Sequence, residues 1–319
     1  MGEPEFVEQT DPETVFTALS DSNRVEILQA LWESDETATF SELREAVGTR
    51  DSGKFNYHLD KLVEEFVTRT DAGYELTQAG KQINGAIEAG AYTVTATIEP
   101  IELPTPCPVC GGSRTLSYAD ETVSVDCDSC GTVAEFGVPP SVFADCDREA
   151  IPEIAGRYLR TTFRKVTSGF CPFCDGPVEP TVRPISEVLD SHLEDTEDDL
   201  PVQTDDMPHV EYDCRRCGAT PTGGLGLVCL DHPAVVSFYY DRGVDIRTES
   251  IWSVVGCPPD RQSIRTTDPL VAAVTYTADE DSITVVVDET LDTVAIERAC
   301  HRIGHRVLSF VRPGLCPRS

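Results

Sequence analysis

Eight cysteines in four Cys-x-x-Cys pairs carry the clearest chemistry in the sequence. Cys107 and Cys110 (CPVC) precede Cys127 and Cys130 (CDSC) by sixteen residues, and Cys171 and Cys174 (CPFC) precede Cys214 and Cys217 (CRRC) by thirty-nine. A two-residue spacer lets both sulfurs of a pair face one ion, and four thiolates complete a closed tetrahedral site of the structural zinc type. A glycine follows each pair within two residues (Gly111, Gly131, Gly176, Gly218), as the tight turn around an ion demands. The pattern predicts two four-cysteine zinc ribbons and two structural Zn2+ ions, one per quartet. The stretch RTLSYADETVSVD between the first two pairs reads as two strands and a turn, as a ribbon needs. The longer second interval holds an acidic insertion, EDTEDDLPVQTDD.

The competing chemistry for such pairs is thioredoxin-like thiol exchange, which wants one pair opening a helix after a strand. Here the pairs come in twos with hairpin-like sequence around them, so metal is the better reading. Five further cysteines (Cys146, Cys229, Cys257, Cys300, Cys316) stand outside the quartets. CLDH (Cys229, His232) and CHRIGH (Cys300, His301, His305) resemble ligand groups only faintly. A metal or thiol sensor built from them is the alternative to a simpler role as small buried hydrophobes.

The elements that must hold these groups sit in an unusual chain. Its 319 residues hold 56 Asp and Glu against 25 Lys and Arg, for a formal net charge of -31, and only Lys54, Lys61, Lys81 and Lys165 are lysines. Such an excess of acid with lysine suppressed is expected of a protein working at molar salt, where repulsion is screened within about 3 Å. With 40% apolar residues the chain can bury real cores. The opening MGEPEFVEQTDPETVF has no apolar leader, and no run is long enough to span a bilayer. A cytoplasmic, halophilic protein with no membrane partner is the expectation, and thirteen cysteines in that compartment again argue for metal over disulfides. There is no Gly-rich phosphate loop, His-Glu-x-x-His motif or serine elbow, so the chain reads as a non-enzyme.

Two of the four lysines fall in one window, SGKFNYHLDKL. Residues 11–34 read as two helices, the second turning Val25, Leu28, Leu31 and Trp32 inward, and residues 39–48 as a third with Phe40, Leu43 and Val47 inward. A fourth helix, over 51–66, buries Phe55, Leu59, Leu62, Val63 and Phe66. Its outer face carries Lys54, Tyr57 and Lys61, with Asn56 and His58 at the margins. From Arg50 to Lys61 three basic residues meet two acidic ones, a local surplus that stands out on this surface. VTRT and YELT form a hairpin around an Asp-Ala-Gly turn, and QAGKQINGAIEAG resumes as a helix.

This order resembles the winged helix-turn-helix of the ArsR-like transcriptional regulators, in the form common in halophilic archaea. SNRVEILQAL, FSELREAVG, FNYHLDKL and GYELTQAG carry the resemblance, which covers about residues 11–92. It implies a homodimer on double-stranded DNA, with outer helices pairing and the two 51–66 helices about 34 Å apart in successive major grooves. The implied contacts are Ser52, Lys54, Asn56, Tyr57, His58 and Lys61 on that helix and Arg50 and Arg69 toward the phosphates. His58 also fits a packing role. Winged helices serve protein interaction too, so docking to transcription machinery is the second reading.

The expected fold is α+β and multidomain: a winged helix-turn-helix at 1–92, a zinc ribbon at 93–145, a linking helix at 146–168, a second ribbon with the acidic insertion at 169–232 and a small α+β domain at 233–319. The linking helix puts Ile154, Tyr158, Leu159 and Phe163 in one sector and Arg157, Arg160, Arg164 and Lys165 outside it. We read it as structural, with a second nucleic-acid contact as the alternative. In the last segment LVAAVTYTADEDSITVVVDETL predicts a hairpin and TVAIERACHRI a closing helix. HPAVVSFYYDRG is similar to segments that follow the ribbon in haloarchaeal relatives, which implies a shared terminal domain.

Overall fold

The structure, a computed structural model, describes residues 11–34, 37–187, 207–254, 259–299 and 307–308. The fold is α+β, and the chain divides into two compact units: residues 1–95 with 139–141, and the remainder. Among the described residues no helix is long and apolar enough to cross a membrane. The acidic insertion, Cys257, Cys300, Cys316, His301 and His305 lie outside the described residues.

The first unit runs α1 (Pro12–Leu19), α2 (Ser22–Glu33), α3 (Phe40–Ala46), α4 (Ser52–Asp60), β1 (Val67–Arg69), β2 (Tyr74–Leu76) and α5 (Gln78–Glu88). Short polar residues start these helices by satisfying otherwise orphaned N–H groups. Asp21 accepts from the Asn23 N–H at 2.9 Å, Asp51 from those of Gly53 and Lys54 at 2.9 and 3.0 Å, and Thr77 from that of Gly80 at 3.1 Å. Thr39 and Glu42 form a reciprocal capping box at the start of α3. The core collects Ile27, Leu28, Leu31, Leu43, Phe55, Leu59, Leu62 and Phe66. Ile27, one turn before Leu31, takes the buried place expected of Trp32, which is 47% exposed.

The fourth helix is shorter than expected. It stops at Asp60 rather than running to Phe66, and Glu64 adopts a φ of 85° while its N–H bonds the Val67 carbonyl at 3.0 Å. That turn still delivers Leu62 and Phe66 to the core, so the apolar stripe survives although the helix does not. Close packing of the hairpin rests on Gly73. Its φ is 149°, and a Cβ there would lie 2.5 Å from the Ala38 carbonyl oxygen, within the Ala38–Tyr74 bridge. Gly73→Ala is expected to destabilise the chain by about 2–4 kcal/mol. Urea unfolding followed by circular dichroism checks this, and unchanged stability would mean that the hairpin does not close on residue 38.

In the second unit three antiparallel sheets gather around one long helix. β3 (Ile98–Glu102), β4 (Arg114–Ala119), β5 (Thr122–Cys127) and β6 (Gly131–Gly137) form the first, in sequence order. α6 (Ile151–Thr167) follows, then a sheet of β7 (Val178–Pro184), β8 (Pro208–Cys214) and β9 (Thr222–Gly224). The last sheet holds β10 (Gln262–Thr267), β11 (Leu270–Ala278), β12 (Asp281–Asp288), β13 (Thr293–Ala299) and β14 (Val307–Leu308). β11 and β12 are the predicted hairpin, and Pro233–Tyr240 is a helix. Leu116 and Tyr118 of β4, Ala155 and Phe163 of α6, Val210 and Tyr212 of β8, and Val274 and Val285 of the last sheet belong to one continuous core. The segments read separately from the sequence beyond residue 95 thus share their burial.

The closing segment corrects the sequence reading. TVAIERA is strand β13 rather than a helix, pairing Ile296 with Val285 and Arg298 with Ile283. Ala, Glu and Arg favour a helix locally, but β12 offers an open ladder edge, and that non-local pairing overrides the local preference.

Candidate functional site

Each quartet is assembled from two turns. In the first, Cys107 and Cys110 lie in the β3–β4 connection, Cys127 ends β5 and Cys130 occupies the turn into β6. In the second, Cys171 and Cys174 follow α6, Cys214 ends β8 and Cys217 lies in the turn toward β9. Strand ends therefore present one pair to a turn that presents the other. Within each quartet all four sulfurs lie within 4.8 Å of one another. Cys107 and Cys130 approach to 3.6 Å, Cys110 and Cys127 to 3.4 Å, Cys171 and Cys217 to 3.7 Å, and Cys174 and Cys214 to 3.5 Å. A tetrahedron with Zn–S bonds of about 2.3 Å has edges of about 3.8 Å, so both quartets have the size such an ion requires.

The turns also aim N–H groups at sulfur. Gly112 donates to Cys110 at 3.4 Å, Ser129 to Cys127 at 3.5 Å and Phe173 to Cys171 at 3.4 Å. The N–H groups of Cys217 and Arg216 hold the Cys214 thiol down at about 6, against the effect of burial. Burial pushes Cys127 up, but the Ser129 N–H and the Cys110 thiol outweigh it and leave Cys127 at about 7. Burial pushes Cys174 up to about 12, with the neighbouring thiols adding to it. Four crowded thiols share a limited charge by themselves, whereas a divalent cation among them would favour the thiolate form throughout.

The glycine argument needs one amendment. Gly111, Gly131 and Gly218 have φ of 78°, 86° and 74°, but in the CPFC turn the equivalent position is Asp175, at 55°. Asp is one of the few residues that tolerate this region. Gly176 instead corresponds to Gly112, where the constraint is close approach: a Cβ would lie 3.1 Å from the Cys174 sulfur and 2.9 Å from the Cys127 sulfur, respectively. Aspartate directly after the second cysteine is the signal available in the sequence.

The second candidate is the outer face of α4. Arg50, Ser52, Lys54, Asn56, Tyr57 and Lys61 are all exposed, as is Arg69 on the hairpin. The Asn56 amide donates to Asp60 at 2.6 Å, the Lys61 ammonium lies 5.9 Å from the centre of the Tyr57 ring, and the Arg69 guanidinium lies 5.7 Å from that of Tyr74. Among the described residues Arg50, Lys54, Lys61 and Arg69 make no ion pair with a carboxylate. In the second unit Arg164, Lys165, Arg215, Arg242 and Arg265 each pair with one, whereas Arg148, Arg216 and Arg261 bond only carbonyls or a hydroxyl among the described residues. His58 does not belong to the exposed face. It is 6% exposed, with Nδ1 3.7 Å from the Asp21 carboxylate, and so cannot serve as a contact residue. The reason is rotational: His58 precedes Leu59 and follows Phe55 by three residues, which turns it toward the core stripe.

The basic face of α6 is likewise consumed internally. Arg157 pairs with Glu153 at 3.2 Å, and Arg160 and Arg164 both reach Asp231 at 2.5 Å. Burial opposes ionisation of Asp231, but hydrogen bonds from Arg164 and Arg160 prevail and hold its carboxyl below the usual range. Nothing in the sequence connects Asp231 to this helix, 67 residues away from Arg164. Cys229 is buried, and His232 is a helix cap, accepting from the Ala234 N–H at 3.1 Å, while its Nε2 lies 3.2 Å from the Thr293 hydroxyl.

These features define a two-unit α+β protein with a pair of four-cysteine groups able to hold metal ions. Residues 104–293 match the family described as a domain of unknown function, DUF7351, and residues 12–87 match a second, DUF7347. The first match spans more than half of the chain, which belongs to that family. No curated protein matches the sequence.

Proposed function

We propose that the chain is a DNA-binding transcriptional regulator that docks α4 into a duplex major groove and uses two zinc ions as structural staples. The observation that carries this reading is the set of cations on α4 and its hairpin that lack a carboxylate partner among the described residues. In the second unit Arg157, Arg160, Arg164, Arg215, Arg242, Arg247 and Arg265 pair with a neighbouring acid, while Arg148, Arg216 and Arg261 bond only carbonyls or a hydroxyl among the described residues. What sets α4 and its hairpin apart is the clustering of unpaired cations on one face. The helix–helix–helix–helix–hairpin–helix order supports a winged helix-turn-helix, and a helix about 10–12 Å across with its side chains, as α4 is, fits a major groove about 12 Å wide. The sulfur geometry supports zinc, with Cys107, Cys110, Cys127 and Cys130 holding one ion and Cys171, Cys174, Cys214 and Cys217 the other. In this reading the protein acts as a homodimer in a high-salt cytoplasm.

An acidic body approaching DNA faces repulsion that salt screens, while counterion release contributes less as salt rises. Hydrogen bonds and water bridges then supply more of the affinity. Affinity for duplex DNA is expected to change little, or to rise, between about 0.2 and 3 M KCl. Fluorescence anisotropy on a fragment recovered by genome-wide binding mapping measures this. A steep loss of affinity with salt would contradict it, and absence of duplex binding at every salt would remove the proposal itself.

One observation favours a second reading. Phe173 at the tip of the CPFC turn is 78% exposed and Phe170 beside it 53%. Such aromatics suit a protein contact, and the second unit would then dock transcription machinery. Binding of purified RNA polymerase that resists nuclease and is lost in Phe173→Ala separates this role from DNA binding.

A further inference from the structure

Between α6 and the segment from Asp245 to Trp252 lies a cavity of about 330 Å³ whose walls include Glu153, Gly156, Arg157, Arg160, Arg247 and Glu249. We propose that it binds a small molecule bearing a carboxylate or phosphate group, making the second unit a ligand-binding module. This inference is independent of the duplex-binding reading.

The walls are built rather than incidental. Gly156 lets the segment close on α6: a Cβ there would lie 2.4 Å from Ile251 Cγ2 and 3.2 Å from Trp252 Nε1. The Trp252 indole donates to the Pro152 carbonyl at 2.6 Å, and Arg114 donates to the Trp252 carbonyl at 3.0 Å. Arg160 donates to the Ile246 carbonyl and pairs with Asp231. The segment is thus pinned along its length before any ligand arrives.

Three guanidinium groups meet at this wall with donors to spare. Arg160 is only 6% exposed, and its buried Nε has no hydrogen-bond partner among the described residues. A buried donor without a partner is costly, and an acceptor that reached it would relieve that cost. Arg247 uses Nε and Nη2 on Asp245, at 2.8 and 2.9 Å, and Arg157 uses Nε on Glu153. Their remaining N–H groups make no bond among the described residues. Each guanidinium carries five donors in a planar fork suited to an oxyanion. Asp231, Asp245, Glu153 and Glu249 offset the charge, so recognition rests on directed N–H groups rather than on a net positive field. That suits a setting where salt screens long-range attraction. The volume is at the lower end of small-molecule sites.

Isothermal titration calorimetry on the zinc-loaded full chain, at fixed KCl concentration, tests the site with inorganic phosphate and with malonate. Saturable binding of either is expected, weakened about tenfold or more in Arg157→Ala and in Arg247→Ala, whose side chains are exposed enough to be removed without unfolding the unit. Arg215→Ala, whose side chain pairs with Glu179 outside the cavity, is expected to bind as the parent does. Binding of phosphate alone or malonate alone assigns the ligand to that class. No saturable heat with either anion, or binding undiminished in both cavity variants, overturns the proposal.

Discussion

On the proposed zinc reading, Cys214→Ser is expected to lower the bound metal from two ions per chain to one and to collapse the tertiary packing of the second unit. Cys214 ends β8 and is itself part of the unit's core, in the same cluster as Tyr212, Val210 and Phe163. A hydroxyl there leaves three thiolates to hold the ion, and the ion's contribution is large. Apparent binding free energies of structural zinc are about 10–16 kcal/mol at neutral pH, comparable to the whole net stability of a typical domain, about 5–15 kcal/mol. Losing even a third of that through a missing ligand, about 3–5 kcal/mol, would remove a large part of the net stability of the unit. Metal analysis after gel filtration gives the stoichiometry, and near-ultraviolet circular dichroism and thermal melting give the packing. A strong chelator should reproduce the effect at both sites. If metal-free protein melts with the parent's transition, the quartets are not staples, and their sulfur geometry needs another explanation.

Replacing Arg50, Lys54 and Lys61 together with alanine is expected to weaken duplex binding by about a hundredfold while the unit keeps its stability. Each of the three is exposed and has no carboxylate partner among the described residues, so nothing in the core depends on it. Cation contacts to phosphate or base edges are worth about 1 kcal/mol or more each. His58→Ala should behave in the opposite way. Its ring is buried beside Asp21 and edge-on to Tyr57 at 5.3 Å, so truncation opens a cavity and costs stability. The two variants together separate a surface role from a packing role. Anisotropy titration and urea unfolding on the same samples are the measurements. Unchanged affinity in the triple variant would sink the assignment of α4 as the DNA-facing helix.

Local signals make much of the first unit legible. Asp21, Thr39, Asp51 and Thr77 each start a helix where a short polar side chain precedes an apolar period, and the hairpin follows from its glycine turn. The stop of α4 at Asp60 is not legible, because Leu62 and Phe66 continue the helical period and only Glu64 leaves the helical region. Its backbone is set by the hairpin that follows, and no helix-breaking residue marks it.

The cysteine spacings by themselves determined which eight sulfurs form two groups, because a two-residue spacer is a local device and four ligands close a site. Composition determined the scarcity of positive charge, and with it the weight that any unpaired cation carries. Only the tertiary structure decided which cations find a carboxylate. Asp231 neutralises Arg160 and Arg164 from across the chain, and nothing near those arginines announces it. It likewise decided that TVAIERA is a strand, since the partner that stabilises it is the edge of β12. Local preferences act over one or two turns of chain, whereas ion pairing, ladder formation and burial depend on residues that folding alone brings within a few ångströms.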